Sequence, residues 1–207
     1  MDDRLTELDV RELVERMASG DPVPGGGSAA GLAGAMGAAL IHMVVELTPA
    51  DEHAEALTQI GIAATTWQSE LLNLAELDAN AYDAVVRARR LPRETEPERR
   101  ARNAQVAAAT REATRVPLQV ARAAAAVVEL AERLAPVGNR HAISDVGVAA
   151  LLAATSLRGA ALNVRINLPH LDDDALRDEA TATLEELLAG LPAREKAVAD
   201  GVEERMG

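Results

Sequence analysis

The sequence contains no cysteine and almost no aromatic residues, with one tryptophan, one tyrosine and no phenylalanine among 207 residues. Without cysteine, disulfide frameworks, thiolate nucleophiles and cysteine-ligated zinc sites are excluded. An aromatic content of 1% is too low for a platform on which single-stranded bases stack. Leucine, valine and alanine must therefore fill the core.

Positive charge is also scarce, because 21 lysines and arginines face 33 aspartates and glutamates and leave a formal net charge of -12. Such a surface argues against nucleic acid or an anionic membrane as a partner. The four histidines lack the spacing of a ligand pair, so no metal site is expected. The N-terminal MDDRLTELDV is too acidic and polar for a signal peptide. The longest apolar stretch, residues 29–45, is shorter than the roughly 20 residues that span a bilayer. We expect a soluble, cytoplasmic protein.

Helix-forming residues dominate, and the alternation of β-branched and aromatic residues that marks strands is absent. The sequence therefore predicts one all-α domain over residues 1–207. Glycine and proline breakers divide it into five or six long helices with short connections, as in an antiparallel up-and-down bundle. The expected helices begin near residues 5, 28, 49, 96, 144 and 174, with a kink near Pro117. Caps are expected at Ser28, Thr48, Thr95 and Ser144.

Two of the expected helices carry small residues at spacings of three to five. These are Gly27, Gly31, Gly34 and Ala38 in the second helix, and Gly147, Ala150, Ala154 and Gly159 in the fifth. Each glycine inside a helix costs roughly 1 kcal/mol relative to alanine. The pattern therefore predicts that a neighbouring backbone or a ligand approaches these helices closely.

The turn before the second helix runs through Gly25, Gly26 and Gly27 to Ser28. Glycines entering a helix leave backbone N–H groups exposed at the positive end of its dipole, where an anion or a carbonyl oxygen can bind. No strand precedes the turn and no Gly-Lys-Ser/Thr follows, so it is neither a dinucleotide fingerprint nor a phosphate-binding loop. The structural alternative is a flexible turn with Ser28 as helix cap.

Three further groups of polar residues are candidates for the site. Asp78 and Tyr82 lie one turn apart on the third helix. The alternative to a functional role is that Asp78 is simply exposed to solvent. Asn139, Ser144 and Asp145 surround the start of the fifth helix. Helix capping is the structural interpretation of this group, and proton transfer by Asp145 is the functional one. Asn163, Arg165 and Asn167 end that helix, and the two asparagines share a face.

Asp145 and Asn163 also share a face, because the eighteen residues between them make five turns. The helical rise nevertheless separates them by roughly 27 Å. Either they contact separate ends of an elongated ligand, or a second subunit brings one copy beside the other. This geometry favours a homodimer.

Five segments occur in one order along residues 20–171, namely PVPGGGSAAGLAGAMGAALIHMVVELT, DANAYDAVVRARRLPRET, VPL, GNRHAISDVGVAALL and NVRINL. In this order they resemble the formiminotetrahydrofolate cyclodeaminase and methenyltetrahydrofolate cyclohydrolase family. The resemblance implies an all-helical homodimer, or a larger assembly, with a folate site near the subunit interface. The implied reaction closes or opens the N5–C–N10 ring of a one-carbon tetrahydrofolate by acid/base catalysis, without a metal or a separate cofactor.

The resemblance also assigns candidate roles to residues of this sequence. Asp145 and Asp78 are the acid/base candidates. Arg165 could pair with a folate carboxylate. The candidate substrate-binding residues are Gly25, Gly26, Gly27, Ser28, Tyr82, Asn139, Ser144, Asn163, Arg165 and Asn167.

One segment departs from the family pattern. Residues 46–52 are acidic, with sequence ELTPADE, where the family commonly carries a basic cluster. Asn80 also stands where the family often has glutamate. The departure keeps two alternatives open: an enzyme of the same scaffold acting on a non-folate, amidine-type substrate of specialised metabolism, or a non-catalytic helical dimer that binds a ligand.

Overall fold

The computed structural model describes residues 4–49 and 53–207, and these residues form helices and no strand. The all-α prediction is confirmed. The six α-helices are α1 Val10–Met17, α2 Gly26–Leu47, α3 Ala54–Arg89, α4 Glu96–Leu134, α5 Ile143–Asn167 and α6 Asp174–Met206. Short 3-10 turns occupy Leu5–Glu7 and Leu168–His170.

Helices α2 to α5 form an up-and-down bundle in which each helix packs against the next and α5 returns to α2. Helix α6 lies across α4 and α5. Ion pairs join α6 to α4: Arg122 pairs with Glu179 at 2.7 Å on the surface, and the half-buried Arg194 pairs with Glu132 at 2.6 Å. Aliphatic side chains and alanine fill the core, as expected for a chain with so few aromatic residues.

Two predicted helix starts are confirmed. Thr95 and Glu98 form a capping box at α4, in which each side chain accepts a hydrogen bond from the other residue's backbone. Asp173 caps α6 by accepting from the Leu176 N–H at 3.0 Å. Helix α6 contains Pro192 and continues through it without a break.

Three predicted caps are wrong. Helix α2 begins after Gly25, so Ser28 lies inside its first turn. Thr48 ends α2 instead of starting α3, and its hydroxyl donates back to the Val44 carbonyl at 2.6 Å. Helix α5 starts after Ala142, before Ser144. In each case the hydroxyl residue is close to a helix end, but it does not occupy the N-cap position. The predicted third-helix start at residues 49–51 lies partly outside the described residues, and α3 begins at Ala54.

The first predicted helix is divided in two. A 3-10 turn at Leu5–Glu7 precedes α1, which Asp9 and Glu12 start with a second capping box. This box satisfies the spacing rule for an acid at the cap and a glutamate three residues later.

Close helix packing is confirmed along α2. A Cβ atom placed on Gly37 would lie 2.9 Å from the Ala149 carbonyl oxygen of α5, and one on Gly34 would lie 2.7 Å from Ser156 Oγ. These distances are below van der Waals contact, so only glycine permits this spacing. Helix α2 thus lies tightly between α3 and α5.

Two segments, Gly26–Leu47 and Ile143–His170, have the length and hydropathy of membrane-spanning helices. About half of each apolar window, 56% and 50%, is buried inside the fold. Both contain central bundle helices, α2 and α5, and core helices share this composition with membrane spans.

Candidate active site

A cavity of about 240 Å³ lies at the end of the bundle where α2 begins. Helix α3 contributes residues to it from its second half, and α5 from its last turns. The lining residues are Pro22, Val23, Gly25, Gly26, Gly27, Asp78, Tyr82, Ala113, Asn163, Ile166 and Asn167. Three separate groups of candidates from the sequence therefore meet at one place.

Asp78 binds the N-terminus of α2 from a neighbouring helix. Gly25, the N-cap residue, has no side chain to accept from the first-turn N–H groups. The carboxylate of Asp78 takes this role: it accepts from the Ser28 hydroxyl at 3.3 Å and from the Ser28 backbone N–H. An acid at this position is stabilised by the positive end of the helix dipole.

Gly27 provides the space that this contact requires. A Cβ atom on Gly27 would lie 2.1 Å from Asp78 Oδ1 and 2.4 Å from its carboxyl carbon. Such a contact is impossible, so any larger residue would displace the carboxylate. One of the three glycines of the turn is thereby explained by the position of an acid on another helix.

Burial raises the pKa of Asp78 above its ordinary value, because the charged form loses solvation. The hydrogen bonds from the Ser28 hydroxyl and backbone N–H act in the opposite direction and lower the pKa. A carboxyl group with a raised pKa, partly enclosed in a cavity, keeps its proton to a higher pH than an exposed aspartate and is a candidate for proton exchange with a ligand.

The two asparagines of α5 form the opposite wall. Asn163 Nδ2 donates to the Gly159 carbonyl at 2.9 Å. Asn167 Nδ2 donates to the Asn163 carbonyl at 3.0 Å and to the Ala113 carbonyl of α4 at 2.8 Å. Gly26 faces Asn163, since a Cβ atom on it would lie 3.8 Å from the Asn163 amide nitrogen. Backbone contacts therefore hold both side chains.

Tyr82 and Ile166 lie at the mouth of the cavity. Tyr82 is 49% exposed and Ile166 is 69% exposed. Tyr82 is one turn beyond Asp78 on α3, so its ring and the carboxylate lie on the same side of the helix. An exposed ring beside a polar cavity offers a surface on which a flat heterocycle can stack.

Three other candidates lie away from this cavity. Asn139 is beside the C-terminus of α2, where its side-chain amide donates to the Leu47 carbonyl and its backbone N–H to Thr48 Oγ1. Ser144 and Asp145 occupy the first turn of α5, at the far end from Asn163. The helical rise separates Asp145 from Asn163 by roughly 27 Å within one chain. The local role of Asn139 is to join α2 to the loop before α5.

Arg165 lies next to the cavity but does not line it. Its side chain is exposed on α5, one residue before Ile166. A cation at this position can reach the part of a ligand that extends beyond the mouth.

Several lining residues were not among the sequence candidates, namely Pro22, Val23, Ala113 and Ile166. Pro22 and Val23 adjoin the glycine turn, so their proximity could have been inferred from the chain. Ala113 lies four residues before Pro117, and this spacing was the available signal. Ile166 lies between two candidate residues, but its apolar side chain gave no reason to select it.

A larger open groove of about 740 Å³ lies between α2 and α3, lined by His42, Glu46, five residues with hydroxyl groups, and apolar residues. Its carboxylate, Glu46, is exposed. The smaller cavity contains a half-buried acid, Asp78, at a helix N-terminus, so it is the better candidate for the active site. Within the described residues, no group of three histidine, aspartate or glutamate side chains converges as metal ligands would.

Comparisons with known proteins agree with this geometry. Residues 9–186 match the family model described as formiminotransferase-cyclodeaminase. The chain is 40% identical to methenyltetrahydrofolate cyclohydrolase of Methylorubrum extorquens, over 95% of this chain and 97% of that protein. It is 34% identical to formimidoyltransferase-cyclodeaminase of Sus scrofa over 95% of this chain, but spans only 37% of that longer protein.

The fold also matches that of a solved structure. The crystal structure of formiminotetrahydrofolate cyclodeaminase from Thermotoga maritima superposes with a TM-score of 0.85 and 27% identity, over 97% of this chain and 98% of that one. The bundle and these relatives thus define an all-helical enzyme, and its candidate site lies at a helix N-terminus. The chain belongs to the formiminotransferase-cyclodeaminase family, as the ordered motifs had indicated.

Proposed function

We propose that the protein is a one-carbon tetrahydrofolate enzyme that opens or closes the N5–C–N10 ring, with methenyltetrahydrofolate cyclohydrolase as the first candidate activity. The observation that carries the proposal is Asp78, a half-buried carboxylate held against the N-terminus of α2 inside a cavity. The choice of hydrolysis is supported by the 40% identical cyclohydrolase of almost the same length. Formiminotetrahydrofolate cyclodeaminase is the second candidate, supported by the structural match.

The hydrolytic reaction needs one proton acceptor that later becomes a donor. Water adds to the methenyl carbon, which becomes tetrahedral, and the water loses a proton to the Asp78 carboxylate. The C–N5 bond then breaks, N5 takes a proton from Asp78, and the second proton of the water is released to solvent. The product carries a formyl group on N10. Proton transfer by a positioned side chain contributes typically 10²–10⁴-fold to the rate.

The same carboxyl group suits the cyclodeaminase reaction. N10 attacks the formimino carbon, and the tetrahedral carbon then expels ammonia after the nitrogen receives a proton. Asp78 would accept the proton of N10 and supply the proton of the leaving ammonia. Because its pKa is raised by burial, the protonated form is available closer to neutral pH than for an exposed aspartate. Both proposed reactions proceed by addition, bond cleavage and proton transfer, so neither requires a separate cofactor.

The cavity of one chain is too small for a whole folate. At about 240 Å³ it lies below the roughly 300–1,000 Å³ typical of small-molecule sites. The heterocycle fits against Asp78 and Asn167, while the remainder of the ligand extends past Tyr82 and Ile166. A second subunit would enclose that part.

The outer surfaces of α2 and α5 are the proposed dimer interface. The two helices lie side by side and expose large apolar residues, among them Met36 at 54%, Leu162 at 65% and Ile166 at 69%. Large apolar side chains exposed on two adjacent helices are typical of a contact surface. A two-fold axis through the middle of this surface exchanges its two ends. It would bring the partner subunit's Asp145 beside Asn163 and Asp78.

This arrangement gives Asp145 a place in the proposed site. The proposed roles are Asp78 as the proton carrier at the ring, with Asp145, Ser144 and Asn139 of the partner subunit completing the wall. A cytoplasmic location also stays a prediction.

The acidic segment at residues 46–52 favours one alternative, a substrate without the polyanionic tail of a polyglutamylated folate.

The experiment that separates cyclohydrolase from cyclodeaminase activity uses two assays on the purified protein. Loss of the near-ultraviolet absorbance of methenyltetrahydrofolate reports hydrolysis, and ammonia release from formiminotetrahydrofolate reports cyclodeamination. Background rates in both assays, together with no heat of folate binding, would overturn the proposal and leave the non-folate alternative.

A further inference from the structure

Pro117 leaves one carbonyl group of α4 without its helical partner. In an α-helix the N–H of each residue donates to the carbonyl four residues earlier. Proline has no N–H, so Pro117 cannot donate to the Ala113 carbonyl. Both residues are buried, and Ala113 also lines the cavity described above. A buried carbonyl that lacks a partner costs stability and attracts another donor.

Asn167 supplies that donor from α5, 54 residues away. Its Nδ2 atom donates to the Ala113 carbonyl at 2.8 Å and to the Asn163 carbonyl at 3.0 Å. A side-chain amide has two N–H donors, so both are used. Rotation of the amide by half a turn would place Oδ1 against two carbonyl oxygens and remove both bonds. The orientation of Asn167 is therefore fixed.

The remaining polar atom of this side chain is Oδ1. It accepts no hydrogen bond from the described residues, and Asn167 lines the cavity. This part of the wall is consequently a hydrogen-bond acceptor held in one orientation. A ligand that carries an N–H group at the matching position satisfies it, whereas a ligand without that group leaves it unpaired.

We propose that Asn167 is a specificity-determining residue whose Oδ1 accepts a hydrogen bond from the N–H edge of the substrate heterocycle. Pro117 is a positioning residue, because the carbonyl it frees at Ala113 sets the orientation of Asn167. This inference rests on the proposed folate function, in which the N–H edge belongs to the 2-amino-pyrimidine part of the tetrahydropterin ring. The VPL and NVRINL motifs, distant in sequence, thereby act on the same ligand contact.

The test compares binding of tetrahydrofolate with binding of its analogue in which methyl replaces the 2-amino group. Calorimetry on the wild-type protein should show at least about tenfold weaker binding of the analogue, the value of one hydrogen bond near 1.4 kcal/mol. Asn167→Ala should bring the ratio of the two Kd values close to one.

Pro117→Ala tests the positioning role without replacing a residue that lines the cavity. Alanine supplies an N–H to the Ala113 carbonyl, so that carbonyl no longer needs the Asn167 amide, and only the Asn163 carbonyl still orients it. The ratio should fall below about threefold. Pro192→Ala is the matched control, because it removes the proline inside α6, outside the cavity lining, and should keep the wild-type ratio. A purely structural role of Pro117 would change stability and leave the ratio unchanged.

The outcomes separate this inference from the proposed function. If wild-type protein binds neither compound, the folate function fails and this inference fails with it. If wild-type protein binds tetrahydrofolate but both compounds bind equally, or if Asn167→Ala and Pro117→Ala keep the wild-type ratio, the inference alone is overturned.

Discussion

The carboxylate of Asp78 occupies the space that a side chain on Gly27 would fill. A Cβ atom on Gly27 would lie 2.1 Å from Oδ1, and the Ser28 hydroxyl next to it donates to Oδ2 at 3.3 Å. The contact joins the first turn of α2 to α3, and both helices are fixed in the bundle. The acid therefore reaches the free N–H groups of α2 only because residue 27 has no side chain.

Gly27→Ala should reduce activity by at least about a hundredfold, because the methyl group displaces the acid/base group. The fold should survive, since alanine is favoured over glycine inside a helix by up to about 1 kcal/mol. Steady-state kinetics and circular dichroism check both expectations.

The control for this change is Gly190→Ala, a glycine inside α6 and outside the cavity lining. A Cβ atom at Gly190 would meet no other atom within 4 Å. Activity of Gly190→Ala should therefore stay within a few-fold of wild type. Equal losses for the two variants would contradict the specific role of the Gly27–Asp78 contact.

Asp78→Asn should increase the free energy of unfolding at neutral pH. Burial raises the pKa of Asp78, so the folded protein binds a proton at this carboxyl more tightly than the unfolded chain. The contribution of this carboxyl to the free energy of unfolding is fully present below its pKa in the unfolded chain, about 3.9. It is lost as the pH rises through its pKa in the folded protein. Urea denaturation should show that the advantage of the Asn variant shrinks as the pH falls toward 4. An advantage that grows under acid conditions would contradict the burial of a carboxylate here.

Ser28→Ala should shift the pH dependence of the reaction. The Ser28 hydroxyl lowers the pKa of Asp78, so its removal raises that pKa further. If ionised Asp78 accepts the proton of water, the acidic limb of kcat/KM against pH should move to higher pH. Ser156→Ala is the control, because Ser156 Oγ is buried on α5 with no partner among the described residues. A shift to lower pH, or the same shift in both variants, would refute the role of this hydrogen bond.

Mixing two inactive variants tests whether two subunits share the site. Asp78→Asn and Asp145→Asn each damage one component, so a homodimer of either variant has two impaired sites. A heterodimer combines one intact site with one doubly altered site, and random exchange should restore about a quarter of wild-type activity. The measurement is activity after co-refolding at equal concentrations. No recovery, in the presence of heterodimers detected by mass spectrometry, would remove Asp145 from the shared site.

Local patterns explain why most of the fold was predictable. Helix formers, proline and glycine breakers, and the Thr95 capping box act within a few residues, and the structure confirms the all-α architecture they indicate. Ser28, Thr48 and Ser144 were assigned to the wrong positions relative to their helix ends. At α2 a contact between helices, that of Asp78 with the first turn, takes the place of the local cap.

The site was predictable in its parts but not in its assembly. The glycine turn, Asp78, Tyr82 and the two asparagines were all candidates, and the bundle brings them together. The helical rise predicted that Asp145 and Asn163 lie far apart, and the structure has them at opposite ends of α5. The link from Pro117 through Ala113 to Asn167 could not be inferred, because it depends on the alignment of α4 against α5.

The most direct measurement is the rate at which saturating methenyltetrahydrofolate loses its near-ultraviolet absorbance with wild-type and Asp78→Asn protein. Wild-type protein should accelerate the loss well above the buffer rate. The variant should bind the folate with a similar Kd yet react at least about a hundredfold more slowly. A variant that binds and turns over like wild type would contradict the assignment of Asp78 as the group that carries the proton.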